Sequence, residues 1–307
     1  MSWEEVFPGP CYDETILDQK ASLQRSNALK YFIVGCFFKD LSSGGIVIFT
    51  ECDYTKAYVT TNKFESCTRK SNWYEYGGGG SLFFGNEGEF VQTKNSFIKS
   101  TTDNTGLAFH IHVSGIPNYK NHVNETIASN CIQTELNTRS TVYMYRGFQI
   151  MNQCNITQNK CRNYVAYYLF DINSDSYITC VNFIENEVYW DYLCEQRGLE
   201  SDVRFIITLC TFDLNRRYNL QDYGPMIMGA DWADISYCYF GDNLLLKISG
   251  EFTIENSYGY SGQYHRFENN CPLIKLSRVE SLKFTCHQSQ YRQSANINKL
   301  FRQKRIY

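Results

Sequence analysis

One short pattern returns along this chain at a nearly constant step, and it restricts the fold more than any other feature. The pattern is a small or polar residue, any residue, a large apolar residue, two more positions, then Asn. It reads Cys154-Asn-Ile156-Thr-Gln-Asn159, Val181-Asn-Phe183-Ile-Glu-Asn186, Cys210-Thr-Phe212-Asp-Leu-Asn215, Cys238-Tyr-Phe240-Gly-Asp-Asn243 and His265-Arg-Phe267-Glu-Asn-Asn270. Shorter copies precede these at Cys36-Phe-Phe38, Asn62-Lys-Phe64, Asn95-Ser-Phe97 and Asn124-Glu-Thr126. The third positions run from 38 to 267 in eight steps of 26 to 33 residues, a mean of about 28.6. A period of this size marks a solenoid, whose units bury their apolar faces only by stacking on one another.

Local alternation decides which solenoid. Lys56-Ala-Tyr-Val-Thr-Thr-Asn-Lys-Phe64 and Ala233-Asp-Ile-Ser-Tyr-Cys-Tyr-Phe240 alternate with period two, the strand signature. Between copies lie further apolar strand candidates: Gly45–Phe49, Ser81–Phe84, Leu107–Val113, Thr141–Tyr145 and Val165–Phe170. The chain holds 24 Tyr, 21 Phe and 26 Asn but only 9 Ala. Tyr and Phe favour strands, whereas a helical array needs good helix formers. The expectation is an all-β, right-handed parallel β-helix of about nine rungs. In such a coil one rung position recurs every ~4.8 Å. The Phe/Ile positions then form an internal stack. Cys36, Cys154, Cys210 and Cys238 share one position beside it, as small buried residues. Asn at the turn ladders from rung to rung and suits a left-handed backbone.

Phe-x-x-Asn (Phe183/Asn186, Phe212/Asn215, Phe240/Asn243, Phe267/Asn270), together with Gly44-Gly45-Ile46-Val47 and Gly79-Gly80-Ser81-Leu82, resembles the repeat signatures of the polymorphic outer membrane proteins of chlamydiae. The chain is also similar to the Cys-, Asn- and Tyr-rich β-helix proteins of trichomonad protists. The likeness covers roughly residues 28–286. It implies a right-handed β-helix acting as an adhesin-like surface protein.

Three segments are expected: an N-terminal cap over residues 1–27, the β-helix over 28–286, and a basic tail over 287–307. Residues 13–27 form the best helical stretch, with Asp13 as N-cap and Ile16, Leu17 and Leu23 facing inward. The tail carries Arg292, Lys299, Arg302, Lys304 and Arg305 and could dock an acidic surface. The opening Met1-Ser-Trp-Glu-Glu lacks the apolar stretch of a secretory signal, and no run of 18 apolar residues occurs. A cytoplasmic location is the expectation from these features, and a surface location the one the resemblance implies. Thirteen Cys without a signal are expected to be mostly reduced thiols.

Chemistry is sparse. A balance of 29 basic against 32 acidic residues excludes a nucleic-acid binder on electrostatic grounds. Pectin-cleaving motifs are missing, and the acid pairs Asp171/Asp175 and Asp231/Asp234 read as solvated turn residues. His110 and His112 share one strand face and are weak metal candidates, needing a third ligand such as His122 or a Cys. Trp73, Tyr76, Trp190 and Trp232 are the candidate contacts for a glycan or protein partner. No catalytic residue and no cofactor is assigned. The expected function is a non-catalytic interaction, scaffold or adhesin-like protein binding protein or glycan along its solenoid face. The alternative is a carbohydrate-active β-helix enzyme.

Overall fold

The computed structural model describes residues 2–9, 11–27, 29–70, 78–133, 140–173, 175–189, 192–198, 203–217, 228–241 and 248–259. All lie in the first of two compact units, Met1–Cys271 and Pro272–Tyr307. The fold is the expected all-β parallel coil, and every paired strand in it is parallel to its neighbours. Each turn runs through three sheets. Sheet I includes Lys30–Val34, Lys56–Thr60, Glu89–Thr93, Lys120–Asn124 and Phe148–Asn152. Sheet II includes Ile46–Thr50, Leu82–Asn86, Phe109–His112, Val142–Tyr145, Tyr167–Ile172 and Cys194–Gly198. Sheet III has nine strands, from Phe37–Lys39 to Tyr258–Gly259, which gives nine rungs among the described residues. In the last two rungs, Met228–Ser236 and Ile248–Glu255 pass from sheet II to sheet I without a break, with a register shift between Ala230 and Trp232. The right-handed sense is the one the crossover rule dictates for parallel strands.

The repeated Phe position is the middle of sheet III. Phe38, Phe64 and Phe97 stack with ring centroids 5.0 and 4.6 Å apart, and Phe183, Phe212 and Phe240 at 4.9 and 5.2 Å. All six are buried. Between the two runs the register corrects one copy: Phe97 pairs with Ala128, not Thr126, and Ala128 with Ile156. The missing volume at Ala128 is made up across the coil by Phe109, whose ring lies 5.1 Å from Phe97. A second correction falls at the far end. Phe240 is in register with Gly259, 19 residues on, so the next slot of the stack holds a glycine and not the repeated Phe. Phe267, Asn270, Asn243 and the basic tail lie outside the described residues.

Two corners flank sheet III, and at each a residue takes a left-handed backbone. Asp18, Thr61, Lys94, Glu125, Gln153, Cys180, Leu209, Tyr237 and Asn256 turn the chain from sheet I into sheet III. Asp40, Ser66, Lys99, Asn130, Gln158, Glu185 and Leu214 turn it out again. Asn was expected in this conformation, but the recurrent Asn is the next residue. There it does two jobs. Asn159, Asn186 and Asn215 donate to the carbonyls of Ala128, Ile156 and Phe183 one rung back (2.8–3.0 Å). Their Oδ1 atoms accept the backbone N–H of the equivalent residue one rung back, Cys131, Asn159 and Asn186.

Cysteine fills the same slots by the first job alone. Cys67 points its thiol at the Phe38 carbonyl (3.5 Å), Cys154 at Val123 (3.6 Å) and Cys238 at Ile207 (3.7 Å). These cysteines are therefore small donors, not merely small apolar fillers. All eleven described cysteines are free thiols. The double glycine has a steric reason. A Cβ on Gly45 would stand 2.7 Å from the Phe64 ring, so the chain entering sheet II passes too close to the Phe stack for a side chain.

Residues 13–27 are not a helix. Glu14–Leu17 pairs with Lys30–Val34, and Leu23–Arg25 with Ile46–Thr50, so the coil begins at Glu14. Only Ile16 of the pair Ile16/Leu17 faces inward; Leu17 is 52% exposed. That is the two-residue alternation of a strand. Among the described residues the one helix is the single turn Trp3–Val6, capped by Ser2 and Glu5. It lies flat on the outer surface of sheet I, where Trp3, Val6 and Phe7 bury Tyr58 and Val91 and meet Phe32. The ammonium groups of Lys56 and Lys120 sit 5.2 and 5.3 Å above the Phe7 ring.

The two jobs of the corner residue predict an order of stability. Asn186→Cys keeps the donor and is the milder change. Asn186→Leu strands the Ile156 carbonyl and the Asn159 N–H, each lost partner costing about 1–3 kcal/mol. Phe212→Ala opens a cavity in the stack and costs roughly 3–5 kcal/mol. Urea unfolding should rank wild type above N186C above N186L; equal midpoints for the two Asn variants would refute the assignment.

Candidate functional site

In sheet II the inward residues, such as Leu82, Phe109, Val142 and Tyr167, are core. Alternation sends the residues between them outward. The strand register lines these up in two rows. One runs Phe83, His110, Tyr143, Tyr168, Glu195; the other His112, Tyr145, then Phe170. Successive rings are in contact: Phe83–His110 5.2 Å, His110–Tyr143 4.3 Å, Tyr143–Tyr168 5.3 Å, His112–Tyr145 4.4 Å and Tyr145–Phe170 5.5 Å. Tyr164 extends the sheet of rings, stacked 4.7 Å from Tyr168 and 6.0 Å from Tyr192. Tyr143, Tyr145, Tyr164, Phe170 and Tyr192 are half-buried, leaving part of each ring open to solvent.

Polar groups frame the rings. Arg69 stacks on Phe83 at 4.6 Å and Arg146 on Tyr145 at 4.7 Å. Arg146 Nε also reaches Asp171 Oδ2 at 3.4 Å. Burial, then the Asp171 charge, pushes the Tyr145 phenol up. Arg146 and Asp171 line a corner cavity with Gly115, Gly147 and Asn173. Glu195 pairs through Oε1 with Arg197, while its buried Oε2 has no partner. Further along the corner, burial and then the neighbouring Asp53 push the Glu87 carboxyl up.

The backbone singles out the same face. Nineteen described non-glycine residues have positive φ. Sixteen are the regular corner residues beside sheet III. The remaining three are Arg146, Tyr164 and Asp171. Each belongs to the ring surface or its cavity. Off-pattern strain of this kind costs of order 1–3 kcal/mol and tends to collect at functional positions.

The sequence-based site residues fall as follows. His110 and His112 do share one face, packed against Tyr143 and Tyr145, and His110 Nδ1 lies 2.9 Å from Thr105 Oγ1. His122 is on sheet I, edge-on to Phe148, so the structure does not bring it to the other two. Among the described residues no group of three or more His, Cys, Asp or Glu is placed to hold a metal ion. Trp73, Tyr76 and Trp190 lie outside the described residues; Trp232 is at the register shift of the penultimate rung. The sequence reading missed Tyr143, Tyr145, Tyr168 and Phe170 as a surface. The signal was the outward position of each sheet II strand, once those strands are aligned.

Among the described residues no helix is long and apolar enough to cross a membrane. No protein-family model, curated protein or solved structure matches the chain.

Burial makes the histidines acid-sensitive elements. It holds His112 and His122 at about 4 and His110 well below the usual value. The unfolded chain takes up these protons first, near pH 6.5. Stability is thus complete above pH 6.5 and lost as pH falls toward 4, by up to roughly 1.4 kcal/mol per pH unit for each histidine. His122→Phe removes one such group without emptying its place. Denaturant unfolding at pH 7.5 and 5.0 should show a smaller loss for H122F than for wild type; equal losses would contradict the assignment.

Proposed function

We propose that the protein is a non-catalytic glycan-binding β-helix whose binding face is the outer surface of sheet II. The observation that carries this is the two-row surface of aligned rings, of which Tyr143, Tyr145, Tyr164, Phe170 and Tyr192 are half-open, framed by paired Arg and carboxylate groups. Aromatic faces accept the apolar faces of sugars, and flanking polar groups meet the hydroxyls. Rings fixed on consecutive strands are already ordered, so binding costs little side-chain freedom. An adhesin-like role, as the repeat resemblance implies, is compatible with an extended face of this kind.

The enzymatic alternative needs two carboxyl groups about 5–9.5 Å apart across the scissile bond. The carboxyl groups beside the rings are engaged instead with guanidiniums, Asp171 with Arg146 and Glu195 with Arg197, which favours binding over hydrolysis.

Affinity electrophoresis of the full chain in gels containing soluble polysaccharides tests the reading. At least one glycan should retard the wild type. Tyr143→Ala and Tyr145→Ala should relieve the retardation, whereas Leu209→Ala, on an exposed corner beside sheet III, should not. Retardation indifferent to both Tyr variants, or lost equally with L209A, would reject the face.

A further inference from the structure

We infer that the glycan bound on this face is neutral, not uronate-bearing or sulfated, and that one of its sugar rings seats in the corner cavity lined by Gly115, Arg146, Gly147, Asp171 and Asn173. This rests on the glycan-binding reading above and specifies its ligand.

Charge carries the first half. Among the described residues, three guanidiniums border the rings and corner: Arg69, Arg146 and Arg197. Four carboxylates accompany them: Asp53, Glu87, Asp171 and Glu195. Arg146 is matched to Asp171 and Arg197 to Glu195. An anionic glycan would meet no net positive potential and would have to displace a carboxylate from each of these pairs. A neutral sugar has no such conflict. A matched Arg–carboxylate pair offers donors and an acceptor side by side, which suits adjacent hydroxyls that both donate and accept.

Shape carries the second half. The cavity, of about 330 Å³, opens beside the Tyr145 and Arg146 stack, so a ring lying on the row meets polar groups at its edge. That size is at the lower end of small-molecule sites. Arg146 and Asp171 are held there in left-handed conformations (φ +64° and +50°) that the regular corners do not require of them. Asn173 is fixed by donating to the Pro117 carbonyl across the mouth. Two of the five lining residues are glycines. A Cβ on Gly115 would touch only the Arg146 side chain, at 3.7–4.0 Å, so this position tolerates a side chain and lacks one.

The experiment uses the full chain in affinity gels containing mannan, laminarin or galactan as neutral probes, and polygalacturonate or heparin as acidic ones. A neutral probe should retard the protein and the acidic probes should not. Gly115→Leu fills the cavity at a site where a Cβ fits. With an unchanged melting temperature it should weaken neutral binding about tenfold or more. Asp171→Asn leaves Arg146 without its counter-charge. It should weaken neutral binding and create retardation by polygalacturonate that disappears in high salt. Retardation by acidic probes alone, still abolished by Tyr143→Ala, would overturn the neutral assignment and leave the binding face standing. A folded G115L that binds like wild type would overturn the cavity. Failure of every probe to retard the wild type would overturn the glycan reading itself.

Discussion

The structure depends on how each corner disposes of one carbonyl. At both ends of sheet III a left-handed residue breaks the strand ladder, and the carbonyl of the inward residue one rung back is met by a side-chain donor. Asn62 and Asn95 serve Ile33 and Val59 at one corner; Cys67, Asn159, Asn186 and Asn215 serve Phe38, Ala128, Ile156 and Phe183 at the other. A buried carbonyl left without a partner is costly, so the slot must hold a donor small enough to fit inside the coil. Asn, Cys, Ser and Thr meet that demand. Asn adds an acceptor for the rung behind it, which is why it forms continuous runs while Cys stands alone. The unusual wealth of Asn and Cys is thus one backbone problem solved repeatedly.

This explains what could be read from the sequence. The corner beside sheet III is closed by a fixed number of residues, so its donor and the following Phe keep a near-constant step. Phe183, Phe212 and Phe240 were legible for that reason. Thr126 was misassigned because Ala128, the true slot, carries no large side chain, and the volume it lacks comes from Phe109 in another sheet. Residues 13–27 were misread because Glu14–Leu17 and Leu23–Arg25 are strands of four and three residues. Alternation that short does not separate from a helical face.

The candidate site was hidden for a different reason. Phe83, His110, Tyr143 and Tyr168 recur at steps of 27, 33 and 25 residues, close to those of the Phe stack, but the residue type changes from rung to rung. No short pattern like Phe-x-x-Asn accompanies them, and the connection from sheet III into sheet II varies in length: it runs from Arg69 to Leu82, from Thr102 to Phe109, and from Cys161 to Tyr167. Only the strand register reveals that they form one row.

That division of labour follows from solenoid geometry. Inward positions answer to packing and corner donors, and any change there propagates to the rungs above and below. Outward positions answer only to their own row and to what lies on it. On sheet I the outward row Phe32, Tyr58 and Val91 is packed under Trp3 and Phe7. On the outer side of sheet II, Phe83, His110, His112 and Tyr168 are buried in their rows, while Tyr143, Tyr145 and Phe170 keep part of each ring exposed. Its rings are joined to Arg146, Asp171 and Tyr164, the three residues that depart from the backbone rule of the other corners. Strain that the coil does not need, placed on residues that frame a partly open aromatic face, is the backbone argument for the binding proposed there.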